Sequence, residues 1–450
     1  MNRFTLIGVL SLVLVGITAL GVYLATPRLI GVEPAPASNE VAGSTPLRLR
    51  FSRLMEADTV TERLEINPPR GGKTAWEGST FVFYPDQPWK SGETVTVRLD
   101  KGSRAKNFPR LQIAQSQEWS FQVGNPILVY LYPADQKAGL YAINPQNGEN
   151  TPLYAEAEEV LDYSISADGR AIFFSTRDGS NSQLYRLERN GSVPQLLHRF
   201  ENGQVGSVQL SPSGEFFAFE LMDFRESKVK THIWLLPNDG NPQAVPLRLP
   251  DDGGPSEMPL WSSRNVLAYY DQSAQRYRFY DPQPGQEIAS VACQTGEQGA
   301  WMPDGESFVF PEITPSSGPN PPASHLLRFQ LTTGNLENIS QKMNAEDTSP
   351  AFSPDQRWLV FARKYLDPLQ WTPGRQIWLM NLATGEMRPL LQEAAYNHYA
   401  FAWSPDSSWI AFVRFNQMDP TQPPELWMIN ADGSQPRQLM KGGYAPQWMP

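Results

Sequence analysis

The sequence is poor in cysteine, histidine and basic charge, and after its first 25 residues it has no long apolar run. Its one cysteine, Cys293, excludes an intramolecular disulfide and leaves packing alone to hold the fold. A lone thiol of this kind reads as a small buried apolar side chain. The formal net charge of -10 at pH 7 excludes nucleic acid as a partner, because that needs a basic footprint. The four histidines, His198, His232, His325 and His398, lack the spacing of a zinc set. No Gly-x-Ser-x-Gly elbow, His-Glu-x-x-His helix or phosphate loop occurs. No catalytic residue, metal or cofactor is therefore expected.

What is present begins with a targeting signal. Phe4 to Ala25, "FTLIGVLSLVLVGITALGVYLA", contains no charge. As a helix it would span roughly 33 Å, enough to cross a bilayer core. The reading is an uncleaved anchor over residues 1–27, single-pass, with a cytoplasmic N-terminus and the rest outside. Ala19-Leu20-Gly21 offers a rival signal-peptidase site, and no cysteine follows to make a lipoprotein anchor. Residues 28–45 are rich in Pro, Ala, Ser and Gly and read as a tether.

Residues 46–124 alternate at period two: Leu47, Leu49, Phe51; Phe81, Phe83; Val95, Val97, Leu99; Trp119, Phe121. Turn signals such as "NPPRGG" and "YPDQPWKSGE" separate the runs, and the segment fits a small β-sandwich. "LRLRFSRLMEADTV", "AWEGSTFVFYPDQPWKSGETVTVRL" and "EWSFQV" resemble the SbsA-type bacterial Ig-like domain. The resemblance implies a spacer or display module without catalytic residues. This segment is slightly basic, with 12 Lys/Arg against 9 Asp/Glu, and the remainder is clearly acidic.

From residue 125 a repeat takes over. Seven copies align on Ser166, Ser211, Ser262, Met302, Ser353, Ser404 and Met449, at spacings of 40 to 51 residues. A large apolar residue precedes each, as in "WSPDSSWIAF". An apolar run follows, then a strand ending in a glycine turn ("LWMINADG") and a short fourth strand ("PRQLM"). Four strands per unit of this length is the signature of a β-propeller blade. Within the Ser-Pro-Asp-Gly turn, Pro pre-sets φ, Asp bonds nearby backbone N–H groups and Gly takes the left-handed position. Residues 127–156 supply only three strands, and "YAPQWMP" is a first strand without a successor. Pairing the two closes a seven-bladed ring and removes its exposed edges. The Ser-Pro-Asp-Gly, "LWMINADG" and "PRQL" units resemble the TolB-type propeller repeat. That resemblance implies protein recognition in the bacterial envelope, although here the repeats number seven and follow an anchor and an Ig-like module.

Loop length varies among the blades. The connection from second to third strand is long at 222–231, 311–324, 364–375 and 415–424, and equivalent loops share one propeller face. They carry Phe224, Tyr365, Trp371, Phe415 and Met418, side chains common at binding surfaces. A second candidate is the basic run Arg98, Lys101, Arg104, Lys106 and Arg110, suited to anionic lipid or cell-wall polymer. The expected fold is thus all-β: a transmembrane helix, an Ig-like sandwich, and a propeller closed by the C-terminal strand. The expected function is non-catalytic binding of an envelope or surface protein by a membrane-anchored chain. Two alternatives stand beside it: a glycan- or peptide-binding module, and an enzyme with its site at the central channel.

Overall fold

The period-two alternation read in residues 46–124 becomes two facing sheets in the computed structural model. The structure describes residues 26–39, 41, 43, 45–155, 158–189, 191, 193–241, 243–315, 322–341 and 344–450. The chain divides into two units, Met1–Asn125 and Pro126–Pro450.

In the first unit the strands are β1 (Leu29–Glu33), β2 (Leu47–Phe51), β3 (Leu64–Asn67), β4 (Gly72–Glu77), β5 (Thr80–Pro85), β6 (Thr94–Leu99) and β7 (Gln117–Gln122). One sheet has the order β1-β2-β5-β4 and the other β3-β6-β7. Their inner faces bury Leu47, Leu49, Phe51, Phe81, Val95, Val97, Leu99 and Phe121, as alternation requires. A single short helix, α1 (Ala57–Thr61), lies between β2 and β3 among the described residues.

Residues 28–45 are not the expected tether. Leu29–Glu33 pairs antiparallel with β2, and Val41 bridges to Val123. The Ala37 and Val41 N–H groups donate to the carbonyls of Ser120 (2.7 Å) and Gln122 (3.1 Å). Leu29, Val32 and Val41 pack against the core, so a stretch with linker composition is held by backbone pairing to distant strands. Among the described residues no helix is long and apolar enough to cross a membrane. Phe4–Ala25 lies outside the described residues.

In the second unit, the described residues form seven four-stranded antiparallel sheets. Their inner strands are Tyr444–Met449, Glu159–Ile165, Gly203–Leu210, Ser256–Trp261, Ala300–Trp301, Ala345–Phe352 and Tyr396–Trp403. Each inner strand touches the next, and the last touches the first, so they make a ring. The first sheet is completed out of order: Tyr444–Met449 pairs with Ile127–Tyr132 in the register Trp448 to Leu128.

The Ser-x-Asp turns are polar devices for leaving a buried strand. Ser166, Ser353 and Ser404 each donate to the Asp two residues on, at 2.7, 2.6 and 2.6 Å. The same hydroxyls accept the N–H groups of Ala171, Trp358 and Trp409. Gln356 and Ser407 occupy the left-handed position at φ 62 and 60°, where other copies use glycine.

Between sheets, the residue before the turn does the joining. The indole N–H groups of Trp261, Trp301, Trp403 and Trp448 donate to the carbonyls of Gln209, Leu260, Ala351 and Ala402, at 3.2, 2.9, 3.0 and 2.9 Å. Each acceptor lies on the preceding inner strand, two residues after a bulge residue in the left-handed region (Ser207, Met258, Ser349, Ala400). At the closing joint the buried Tyr163 hydroxyl lies 2.8 Å from the Val129 carbonyl and 2.5 Å from that of Ala445. Gln447 donates to the Tyr163 carbonyl at 2.9 Å.

Deleting Tyr444–Pro450 is expected to lower the melting temperature of the whole second unit. The loss of the buried Trp448 side chain alone should cost about 3–5 kcal/mol. Calorimetry of the truncated chain checks this, and an unchanged transition would remove the closing strand from the account of stability.

Candidate functional site

The long loops of the sixth and seventh sheets meet at one connection, the segment 392–396 between those sheets. Gly374 donates its N–H to the Ala394 carbonyl at 3.1 Å, and Gln417 donates to that of Ala395 at 2.8 Å. Gly374 approaches so closely that a Cβ there would lie 1.9 Å from the Tyr396 carbonyl oxygen, so only glycine fits. Arg375 N–H bonds the Asn397 side chain at 3.1 Å. Backbone bonds thus fix both loops onto the inner-strand side of the seventh sheet, and their tips face water. Leu369 is 94% exposed, Met418 69% and Trp371 52%. Lys364 Nζ sits 4.9 Å from the Trp371 ring centre, a cation–π contact that orients the indole.

Two expected loop residues are strand residues instead. Tyr365 ends the strand Trp358–Tyr365 and packs edge-on against Trp378. Phe415 lies in Trp409–Asn416 with its edge on Tyr399. The second strands run on past the point where loop length suggested an end, and both rings are half-buried by their neighbours. Phe224 does lie in its loop, beside the Asp223–Arg225 ion pair, but on the third sheet, away from the other two loops. Residues 316–321 of the loop 311–324 lie outside the described residues. Leu369 escaped the sequence reading, although an apolar residue inside "LDPLQW" was its signal.

Beneath the paired loops lies a charged network. Arg414 stacks between Tyr396 (4.0 Å) and Trp427 (3.7 Å), bonds Glu425 at 2.9 Å and pairs with Glu393. The His398 imidazole, 3.6 Å away, and the Arg414 guanidinium hold the Glu393 carboxyl down at about 2. With its cation stacked and doubly paired, this cluster fixes the platform on which the loops rest.

A second pair of acids comes from an inner strand and a second strand, Asp162 on Glu159–Ile165 and Glu220 on Phe216–Asp223. Asp162 accepts the Tyr163 N–H and Glu220 accepts the Met258 N–H, both at 2.8 Å. Burial pushes Asp162 up to about 7, with Glu220 adding repulsion, and burial raises Glu220 as well. Among the described residues neither is in an ion pair with an arginine. Among the described residues no group of three His, Cys, Asp or Glu side chains could hold a metal ion. Cys293 is fully buried just after a fourth strand, and burial pushes its thiol up to about 11, which makes it a poor nucleophile.

The basic run of the first unit is not one patch. Arg98 and Lys101 line an open groove of about 790 Å³ together with Glu62, Arg63, Asp100 and Ser116. There Arg98 pairs with Asp100 at 2.9 Å and approaches Glu118 at 3.9 Å. Arg104, Lys106 and Arg110 lie on a separate exposed loop, where Arg110 is 3.6 Å from Glu56.

Two predictions follow from these positions. Phe415→Ala should lower stability by about 1–3 kcal/mol, because it empties a half-buried ring site, whereas Trp371→Ala should be nearly neutral; thermal melts compare them. The second concerns Asp162. An acid whose pKa is raised by folding, here from 3.8 to about 7, binds its proton more tightly in the folded state. Stability therefore falls as pH rises from about 4 to about 7, and Asp162→Asn should flatten that slope in melts taken across the window.

With this geometry in view, comparison with known proteins is informative about parts of the chain. Residues 25–123 match the family described as bacterial Ig-like domain. A stretch of 151 residues is 27% identical to dipeptidyl-peptidase 5 of Porphyromonas gingivalis, covering 32% of this chain and 21% of that protein. The chain thus spans about a fifth of that relative's length. Among solved structures, TolB from Acinetobacter baumannii is 11% identical, with a TM-score of 0.44, over 86% of this chain and 83% of its own. The β-propeller domain of the Trilobed protease from Pyrococcus furiosus is 11% identical, with a TM-score of 0.49, over 78% and 93%. The chain therefore carries a bacterial Ig-like domain N-terminal to a β-propeller.

Proposed function

We propose that this chain is a non-catalytic binding protein of the bacterial envelope, tethered by Phe4–Ala25 and displayed outside the cytoplasm. In this reading the anchor occupies residues 1–27, the Ig-like spacer follows it, and a closed seven-bladed propeller presents the recognition surface to an envelope or surface protein. The observation that carries the reading is the exposed apolar group Leu369, Trp371 and Met418. These three side chains sit on loops whose backbones are bonded to one connection, so the backbone beneath them is held without a ligand, which lowers the ordering cost of binding. Exposed aromatic and methionine side chains on a rigid base suit protein recognition. The match to a peptidase over part of the propeller favours a second reading, in which the same face takes peptides.

A photocrosslinker placed at Leu369 should capture a partner that the same group at Arg357, in a Ser-Pro-Asp turn, does not. Leu369→Ala with Trp371→Ala should leave the melting temperature unchanged. If either is an anchor residue, it should weaken binding by about 2 kcal/mol or more. Equal capture from both positions, or undiminished recovery by the double variant, would move recognition away from these loops. N-terminal sequencing of the mature chain should find the apolar segment retained; a start near Val22 would replace the anchor by a cleaved signal.

A further inference from the structure

The described part of the first unit begins close behind the apolar segment Phe4–Ala25. Its strand β1 starts at Leu29, only three residues after the apolar segment. If Phe4–Ala25 fills the hydrocarbon layer, Thr26–Arg28 can reach about 10 Å at full extension, little more than the headgroup layer on one side of the bilayer. Whatever surrounds Arg28 must then lie at the lipid surface.

The structure identifies that surrounding. Arg28 and Ser52 are joined by two bonds, Arg28 N–H to Ser52 Oγ at 3.0 Å and Ser52 N–H to the Arg28 carbonyl at 2.9 Å. The next residue, Arg53, donates to the Phe108 carbonyl at 3.3 Å. The Lys106 N–H donates to the Leu54 carbonyl at 2.8 Å, and Met55 bridges to Ala105. The loop 104–110 is therefore fastened beside the chain's point of entry. It holds Arg104, Lys106 and Arg110 with no acid among them, and at its tip Phe108 is 92% exposed. Leu54, beside it, is 43% exposed. Arg110 lies 3.6 Å from Glu56.

We infer that this end of the Ig-like unit docks on an anionic bilayer surface, with Phe108 inserted at the headgroup level and Lys106 and Arg110 over the lipid phosphates. An aromatic ring flanked by cations matches the chemistry of that layer: the ring gains by leaving water, and each nearby Lys or Arg is attracted to anionic lipid. The inference rests on the anchor reading above. It adds an oriented, two-point attachment, because the anchor alone would leave the unit free to turn.

The test uses the full chain in lipid nanodiscs. Phe108→Cys carries an environment-sensitive fluorophore, and Lys73→Cys on β4 carries the same label as a remote exposed control. Wild type serves as the blank, since Cys293 is buried. In discs of phosphatidylcholine with phosphatidylglycerol, the label at 108 should emit at shorter wavelength and be quenched by nitroxide lipid, while the label at 73 should do neither. Lys106→Glu with Arg110→Glu in the labelled chain should abolish the shift. A label at 108 as wet as that at 73, in protein that elutes with the discs, overturns docking and leaves the anchor standing. Protein that elutes free of discs overturns both. Equal shielding in discs of phosphatidylcholine alone overturns the role of anionic lipid.

Discussion

The propeller depends on a hydrogen bond that crosses from one sheet to the next. A tryptophan at the end of an inner strand gives its indole N–H to a carbonyl on the preceding inner strand. That carbonyl is presented by a bulge, whose left-handed residue turns the backbone out of its own ladder. The two features need each other. Without the bulge the carbonyl would stay within its sheet, and without the indole it would be a buried acceptor lacking a donor. Where the joint lacks tryptophan, other groups bridge: Tyr163 at the closing joint, and Ser175 to the Val205 carbonyl between the second and third sheets. Sheet-to-sheet adhesion is therefore directional as well as apolar, and this fixes the angle at which each loop leaves the ring.

Much of this was legible because the repeat is local. The strand order within a sheet, the Ser-Pro-Asp turns and the glycine turns after the third strands all arise within one unit of sequence, where period and turn chemistry act together. Features made by distant pairing were hidden. Leu29–Glu33 has the composition of a linker, and only its register with Leu47–Phe51 makes it a strand. The basic run looked uniform because carboxylates that answer it, Glu118 and Glu56, come from other parts of the chain. Tyr365 and Phe415 were assigned to loops on length, while in the fold their rings pack on Trp378 and Tyr399, which sit on other strands.

The proposed binding face and the network beneath it divide the work. Arg414 is stacked between two rings and paired with two carboxylates, so it has little left to offer a ligand. Its contribution is stiffness under the connection that holds both loops. The exposed side chains above it, Leu369, Trp371 and Met418, are the ones with unused surface. Recognition on the proposed face would change easily in evolution, since loop tips can vary while the Gly374 contact and the Arg414 network keep the base in place.

The pairing of Tyr444–Met449 with Ile127–Tyr132 also sets an order of assembly. A chain made from its N-terminus presents the strands of the first sheet early, yet their inner neighbour arrives almost the whole length of the unit later. Until then Ile127–Tyr132 has a bare edge on the side facing the ring axis, a site where another strand can pair wrongly. The intervening sheets can form as they emerge, because each is contiguous in sequence, and the ring then waits on a single late strand. If the chain is exported as proposed, the interval between export of Tyr132 and export of Tyr444 is the window in which it is most exposed to aggregation and proteolysis. A factor that shields strand edges would act during that window.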